Sequence, residues 1–130
     1  MELYNENRFI RKMVEMKSLK VALLQLLPEN TLEGNMKKGM DFCRKAKAMG
    51  ADIALFPEMW SSGYHIPEDI EELKAAAVSS DSEFVRSFGA LAKELHMAVG
   101  ITFLEAFEPL PRNTICLFDR FGSCVLKYAK

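Results

Sequence analysis

Ala51–Tyr64, ADIALFPEMWSSGY, decides how the rest of the chain is read. Asp52 to Phe56 is a short apolar run of strand length, stopped by Pro57, which has no N–H for a sheet ladder. A carboxylate, Glu58, stands directly behind that stop. Met59, Trp60 and a Ser61-Ser62-Gly63-Tyr64 turn follow. A charge is expensive to bury, so an acid between Pro57 and Trp60 at the end of an apolar strand requires a reason. In open α/β sheets the carboxyl ends of strands are where ligands bind. Glu58 is therefore the first candidate for acid–base chemistry.

Working outward, Leu19–Leu27 (LKVALLQLL) reads as a first strand covered on both faces, ended by Pro28. Asn30 with Glu33 forms a capping-box pair that opens a helix running to about Met49, and Gly50 closes it. Leu32, Met36, Met40 and Cys43 line one side of that helix, a stripe expected to be adaptable core. Strand, helix and strand in this order predict a βαβ unit with Glu58 at the carboxyl end of its second strand. After the turn, Pro67 opens a helix through Val78 whose early acids suit its dipole. Ser80 with Glu83 caps another helix to about His96, with Phe84, Phe88, Leu91, Ala92 and Leu95 as its buried stripe. Met97–Leu104 reads as a strand, followed by Glu105 and a Pro-bearing loop from Glu108 to Arg112. Asn113–Asp119 and Ser123–Lys130 then form an antiparallel pair about an Arg120-Phe121-Gly122 turn. Cys124, Leu126, Tyr128 and Lys130 fall on one face by the two-residue period.

Bulk properties narrow the function. The chain has 130 residues, 49% of them hydrophobic, which suits one domain with a real core. A formal net charge of -1 suggests no nucleic-acid partner, and Arg44, Lys45 and Lys47 read as a solvated helix face. Three cysteines without C-x-x-C spacing and two histidines argue against a metal site or a disulfide framework. With no apolar run of spanning length and no signal peptide, the expected setting is cytoplasmic, away from the membrane. No Gly-rich phosphate loop of either common type occurs, so a nucleotide cofactor lacks its cradle. Residues 1–17 carry helically spaced apolar side chains interrupted by charges. They read either as an N-terminal arm or as sequence ahead of the true start near Met16, with the domain occupying 18–130.

LKVALLQLLP, GADIALFPEMWSSGY, VGITFLE and RNTICLFDRFGSCVLKYAK, taken in order, resemble the front half of the nitrilase superfamily, the carbon–nitrogen hydrolases. The resemblance covers about Leu19 to Lys130. It implies an α/β fold, part of an αββα sandwich with a mixed sheet and helices on one face, and a Glu–Lys–Cys triad with no cofactor. Glu58 matches the general base and Lys130 the lysine that stabilises the tetrahedral intermediate. The family's nucleophilic cysteine lies downstream of that lysine, so the chain is expected to be an inactive N-terminal portion. A thiol near its free pKa of about 8.5 is a poor nucleophile, so an adjacent base and cation fit this chemistry.

Cys43, Cys116 and Cys124 lie inside a helix or strands and read as buried small hydrophobes, Cys124 least securely because of the face it shares with Lys130. Trp60 and Tyr64 read either as substrate-pocket walls or as packing residues. Glu105 is either an acid the family often carries here or a solvated loop acid. Asn113 matches a frequent family Asn, although Arg112 stands where a Tyr is usual. The implied substrate is a small amide, carbamoyl compound or nitrile, and family analogy implies a homo-oligomer, a dimer. A non-catalytic remnant or interaction module is the alternative, and a flavodoxin-like binding domain a more distant one.

Overall fold

A computed structural model describes residues 18–130. The arm expected at residues 1–17 lies outside the described residues. Five strands, β1 (Val21–Leu23), β2 (Ile53–Leu55), β3 (Ala98–Glu105), β4 (Arg112–Phe118) and β5 (Cys124–Ala129), form one sheet in the order β1-β2-β3-β4-β5. β1, β2 and β3 pair in parallel, whereas β3–β4 and β4–β5 are antiparallel. The connections require this. The first two crossovers carry helices, and a parallel return needs that length, whereas Asp119–Ser123 is a tight turn. The helices are α1 (Leu32–Ala48), α2 (Ile70–Ala76) and α3 (Glu83–Leu95).

One core joins Cys43 and Ala46 of α1 and Phe84, Phe88, Leu91 and Ala92 of α3 to Ala54, Val99, Ile101, Phe103, Cys116 and Phe118 of the sheet. Alternate strand residues make up that buried face. Their neighbours Leu23, Leu126 and Tyr128 point to the other side and are exposed. At Gly89 of α3 an added Cβ would stand 2.8 Å from the ring of Phe118, so a larger residue would push helix and sheet apart. A mixed sheet with helices on one face is the expected α/β architecture. It excludes the doubly wound alternative, which needs a parallel sheet covered on both sides.

Several local expectations are corrected. The first strand is three residues long, and Leu23 is 67% exposed, because helices cover only one side of the sheet. The cap of α1 is Thr31, whose hydroxyl accepts from the Gly34 N–H, and not Asn30. The cap of α3 is Ser82, accepting from Val85, and not Ser80. The helix expected from Pro67 starts at Ile70, capped by Asp69. Glu105 is the last residue of β3, and a bridge to Val78 flanks it, so it is not a solvated loop acid. Cys124 does not share the face of Lys130. Leu117 pairs with Leu126 and Phe118 with Cys124, and this bulge turns Cys124 to the helix side at an exposed edge.

Candidate active site

Glu58 is held out by a turn that three side chains sew to the body of the protein. β2 ends at Leu55, and the Phe56 N–H still reaches the Gly100 carbonyl at 3.1 Å. Pro57 then breaks the ladder. Met59 adopts a left-handed conformation (φ 53, ψ 47) and a 3-10 turn spans Trp60–Ser62. Gly63 follows at φ 63, where an added Cβ would stand 2.8 Å from Pro28. Non-glycine residues at positive φ are strained and persist only where their surroundings impose them.

Those surroundings are specific. Thr102 of β3 accepts the Trp60 N–H at 3.0 Å and donates to the Pro57 carbonyl, so one buried hydroxyl bridges the chain on either side of Glu58. Ser61 Oγ accepts the Leu104 N–H at 3.0 Å. The side-chain amide of Asn35 in α1 donates to the Ser61 carbonyl at 3.3 Å, and the Asn35 backbone carbonyl accepts the Trp60 indole N–H at 2.8 Å. Trp60 is 1% exposed and stacks at a tilt on Phe56, ring centroids 5.6 Å apart. Trp60 thus supports the turn from inside the core, and it is not among the residues lining the pocket beside Glu58.

On the open face of the sheet, Glu58 Oε1 accepts from Lys130 Nζ at 2.7 Å and from the Asn113 side-chain amide. Lys130 follows β5, and its backbone N–H bonds to the Asn113 carbonyl at 3.0 Å. Residues directly opposed in an antiparallel pair share a face, so Asn113 and Lys130 emerge together. Glu58, Thr102, Asn113, Ile115, Tyr128 and Lys130 line a pocket of ≈ 370 Å³. Tyr64 is 58% exposed, and its phenol lies within electrostatic reach of the Lys130 ammonium.

The hydrogen bonds from Lys130 and then from Asn113 hold the Glu58 carboxyl below the usual carboxylate range. Glu58 in turn raises the Lys130 ammonium above its ordinary value. At neutral pH the pair is a carboxylate and an ammonium. Such a pair can accept a proton at one atom while presenting N–H groups to a developing negative charge. Asn113 was legible only as a family match, because nothing local in the sequence aims it at Glu58.

The three cysteines lie elsewhere. Cys43 is buried under the sheet, where desolvation pushes its thiol up to about 12. Cys116 lies on the helix side of β4 and is also pushed up to about 12, first by burial and then by Cys124. Cys124 is exposed at the edge of that same side, so the burial expected of all three fails for it. Among the described residues no group of three or more His, Cys, Asp or Glu side chains could hold a metal ion. None of their helices is long and apolar enough to cross a membrane.

A one-sided mixed sheet carrying a Glu–Lys pair at the carboxyl end of its second strand defines an α/β protein of the nitrilase architecture. The chain belongs to the carbon-nitrogen hydrolase family, whose sequence pattern matches residues 20–130. A glutamine-dependent NAD(+) synthetase of Thermotoga maritima is 33% identical over 94 residues, 72% of this chain and 16% of that protein. The human omega-amidase NIT2 is 29% identical over 119 residues, 88% of this chain and 41% of that protein. Among solved structures, the NitN amidase from Neterenkonia sp. AN1 superposes with a TM-score of 0.70 at 22% identity, covering 87% of this chain and 44% of the amidase. The chain therefore spans less than half the length of the relatives it matches.

Proposed function

We propose that this chain supplies the general base and the oxyanion-stabilising cation of a carbon–nitrogen hydrolase acting on a small non-peptide amide, carbamoyl compound or nitrile. The observation that carries the reading is the Glu58–Lys130 pair, 2.7 Å apart at the mouth of β2. Glu58 takes the proton of a thiol, and the thiolate adds to the amide carbon. Lys130 has three N–H donors and spends one on Glu58, which leaves two for the oxyanion. The protonated Glu58 then gives its proton to the departing amine. In the second half-reaction Glu58 activates the water that releases the acid.

The nucleophile is not Cys43, Cys116 or Cys124, none of which lines the pocket, and two of which are held protonated by burial. Residues 18–130 are in this reading the N-terminal part of a catalytic domain, and the 130-residue chain has no turnover of its own. Tyr64 is retained as a substrate contact because it is exposed and within electrostatic reach of Lys130. The amidase names of the relatives favour an amide over a nitrile. Three free thiols suit a reducing, cytoplasmic setting. Association of copies belongs to the same reading, supported by the exposed apolar side chains Leu23, Leu126 and Tyr128 on the uncovered face.

The test is ammonia release from small primary amides by a protein that joins this chain to a thiol-bearing remainder. Glu58→Gln should reduce turnover by about 10²–10⁴-fold, the usual worth of a positioned general base. Activity within tenfold of the parent would refute the assignment, and so would ammonia release by the 130-residue chain alone.

A further inference from the structure

Glu105 is a buried carboxylate that the proposed chemistry does not use. It is 3% exposed at the end of β3, on the helix side of the sheet, and it is fully occupied. Oε1 accepts from Arg112 Nε at 2.5 Å and from the Thr114 hydroxyl at 3.1 Å, and Oε2 pairs with Lys127 Nζ. Its backbone is held as well, since the Val78 N–H reaches the Leu104 carbonyl at 2.9 Å and the Ala106 N–H reaches the Val78 carbonyl at 2.8 Å. Burial raises its proton affinity, but the bonds from Lys127, Arg112 and Thr114 outweigh that, and the carboxyl sits below its ordinary value.

The partners are placed in a telling way. Arg112 and Thr114 are the residues on either side of Asn113, and Lys127 lies three positions before Lys130. Successive residues of a strand point to opposite faces. Glu105 therefore grips from behind the two strands whose front faces deliver Asn113 and Lys130 to Glu58. A one-residue slip of β4 would turn Asn113, and one of β5 would turn Lys130, into the helix layer. Hydrophobic side chains could fill the same volume at no loss of stability, whereas buried ion pairs are best attested where they specify register.

We propose that Glu105 is a positioning residue for the Glu58 site, fixing the register of β4 and β5 so that Asn113 and Lys130 meet Glu58 on the opposite face of the sheet. The inference rests on the reading of Glu58 and Lys130 as the working pair.

The test is a carbon-13 NMR titration of the Glu58 carboxyl in the 130-residue chain, using Glu105→Gln, Lys127→Met, Lys127→Arg and the buried helix variant Leu91→Ala. Glu105→Gln and Lys127→Met should raise the proton affinity of Glu58 by about threefold or more, as its partners are lost. Lys127→Arg, which keeps the charge and the reach, should restore the parent value. Leu91→Ala destabilises the fold without touching the clamp and should leave the titration unchanged. The sign for Glu105→Gln is diagnostic, because removing a negative charge would through space alone lower the affinity. An unchanged or lowered Glu58 midpoint in folded Glu105→Gln overturns the proposal, as does a shift of equal size in Leu91→Ala. If Glu105→Gln does not fold, Thr114→Val decides, since it removes a clamp hydrogen bond without changing any charge and should still raise the Glu58 midpoint. Failure of the catalytic reading is a separate result, retained amide hydrolysis in Glu58→Gln, which this titration does not measure.

Discussion

Replacing Thr102 by Val changes almost no volume and removes the hydroxyl that spans Pro57 and Trp60. Thr102 is 7% exposed. In the variant the buried Trp60 N–H and the part-buried Pro57 carbonyl lose their partner. An unsatisfied buried polar group costs about 1–3 kcal/mol, so two of them, partly relieved by movement of the turn, should cost about 2–4 kcal/mol. Thr102→Ser keeps the hydroxyl and loses one methyl, worth about 1 kcal/mol. The order is the test: Val, the closer match in shape, must be the more damaging. Urea unfolding followed by tryptophan fluorescence suits the question, because the chain has one tryptophan, Trp60, and it sits in the turn. With about 3–4 °C per kcal/mol at this size, thermal midpoints should fall by about 6–16 °C for Val and about 3–4 °C for Ser. A Val variant as stable as the Ser variant, with unchanged Trp60 emission, would refute the claim that Thr102 holds the turn carrying Glu58.

Two further outcomes follow from the electrostatics. Because its folded-state pKa is depressed, Glu58 contributes stability that is present above its unfolded pKa and is lost as pH falls through the folded value. Lys130→Met should therefore move the Glu58 midpoint up toward the ordinary range in an NMR titration, and salt should do the same in the parent, since both groups are partly exposed. A midpoint unmoved by either change would show that the pair does not form in solution. Thiol chemistry checks the helix side of the sheet. Cys43 and Cys116 are pushed up to about 12 by burial, while Cys124 is exposed. Iodoacetamide at pH 8 should thus add once to the native chain, at Cys124, and three times after unfolding. Two or more native adducts by intact mass would contradict the placement.

Much of the fold was legible because its signals are local. Pro57 ends a strand wherever the strand lies, the Phe84–Phe88–Leu91 stripe buries one helix face in any α/β layer, and Gly122 turns the chain between β4 and β5. The cap errors at Asn30 and Ser80 have a local cause too. Ser, Thr, Asn and Asp all serve as caps, so the choice among neighbours falls to backbone angles that the sequence does not display. The apolar run Leu19–Leu27 indicated a strand correctly but overstated its length and cover, since hydrophobicity does not report which side the helices will occupy.

The residues of the candidate site divide in the same way. The sequence by itself determined that an acid stands behind a strand stop and that a lysine closes a Gly-turn strand, and through family resemblance it joined the two. Only the tertiary structure decided that Asn113 reaches Glu58 across 55 positions and that Thr102 reaches Trp60 across 42. It also turned Cys124 away from the site through one bulge, buried Trp60 beneath the turn, and placed Glu105 behind the sheet against Arg112, Thr114 and Lys127. Those contacts depend on which strands are neighbours and in what register. Register is set by contacts between distant residues, the packing of the sheet against α1 and α3 and the proposed Glu105 clamp among them, so no window of sequence contains it.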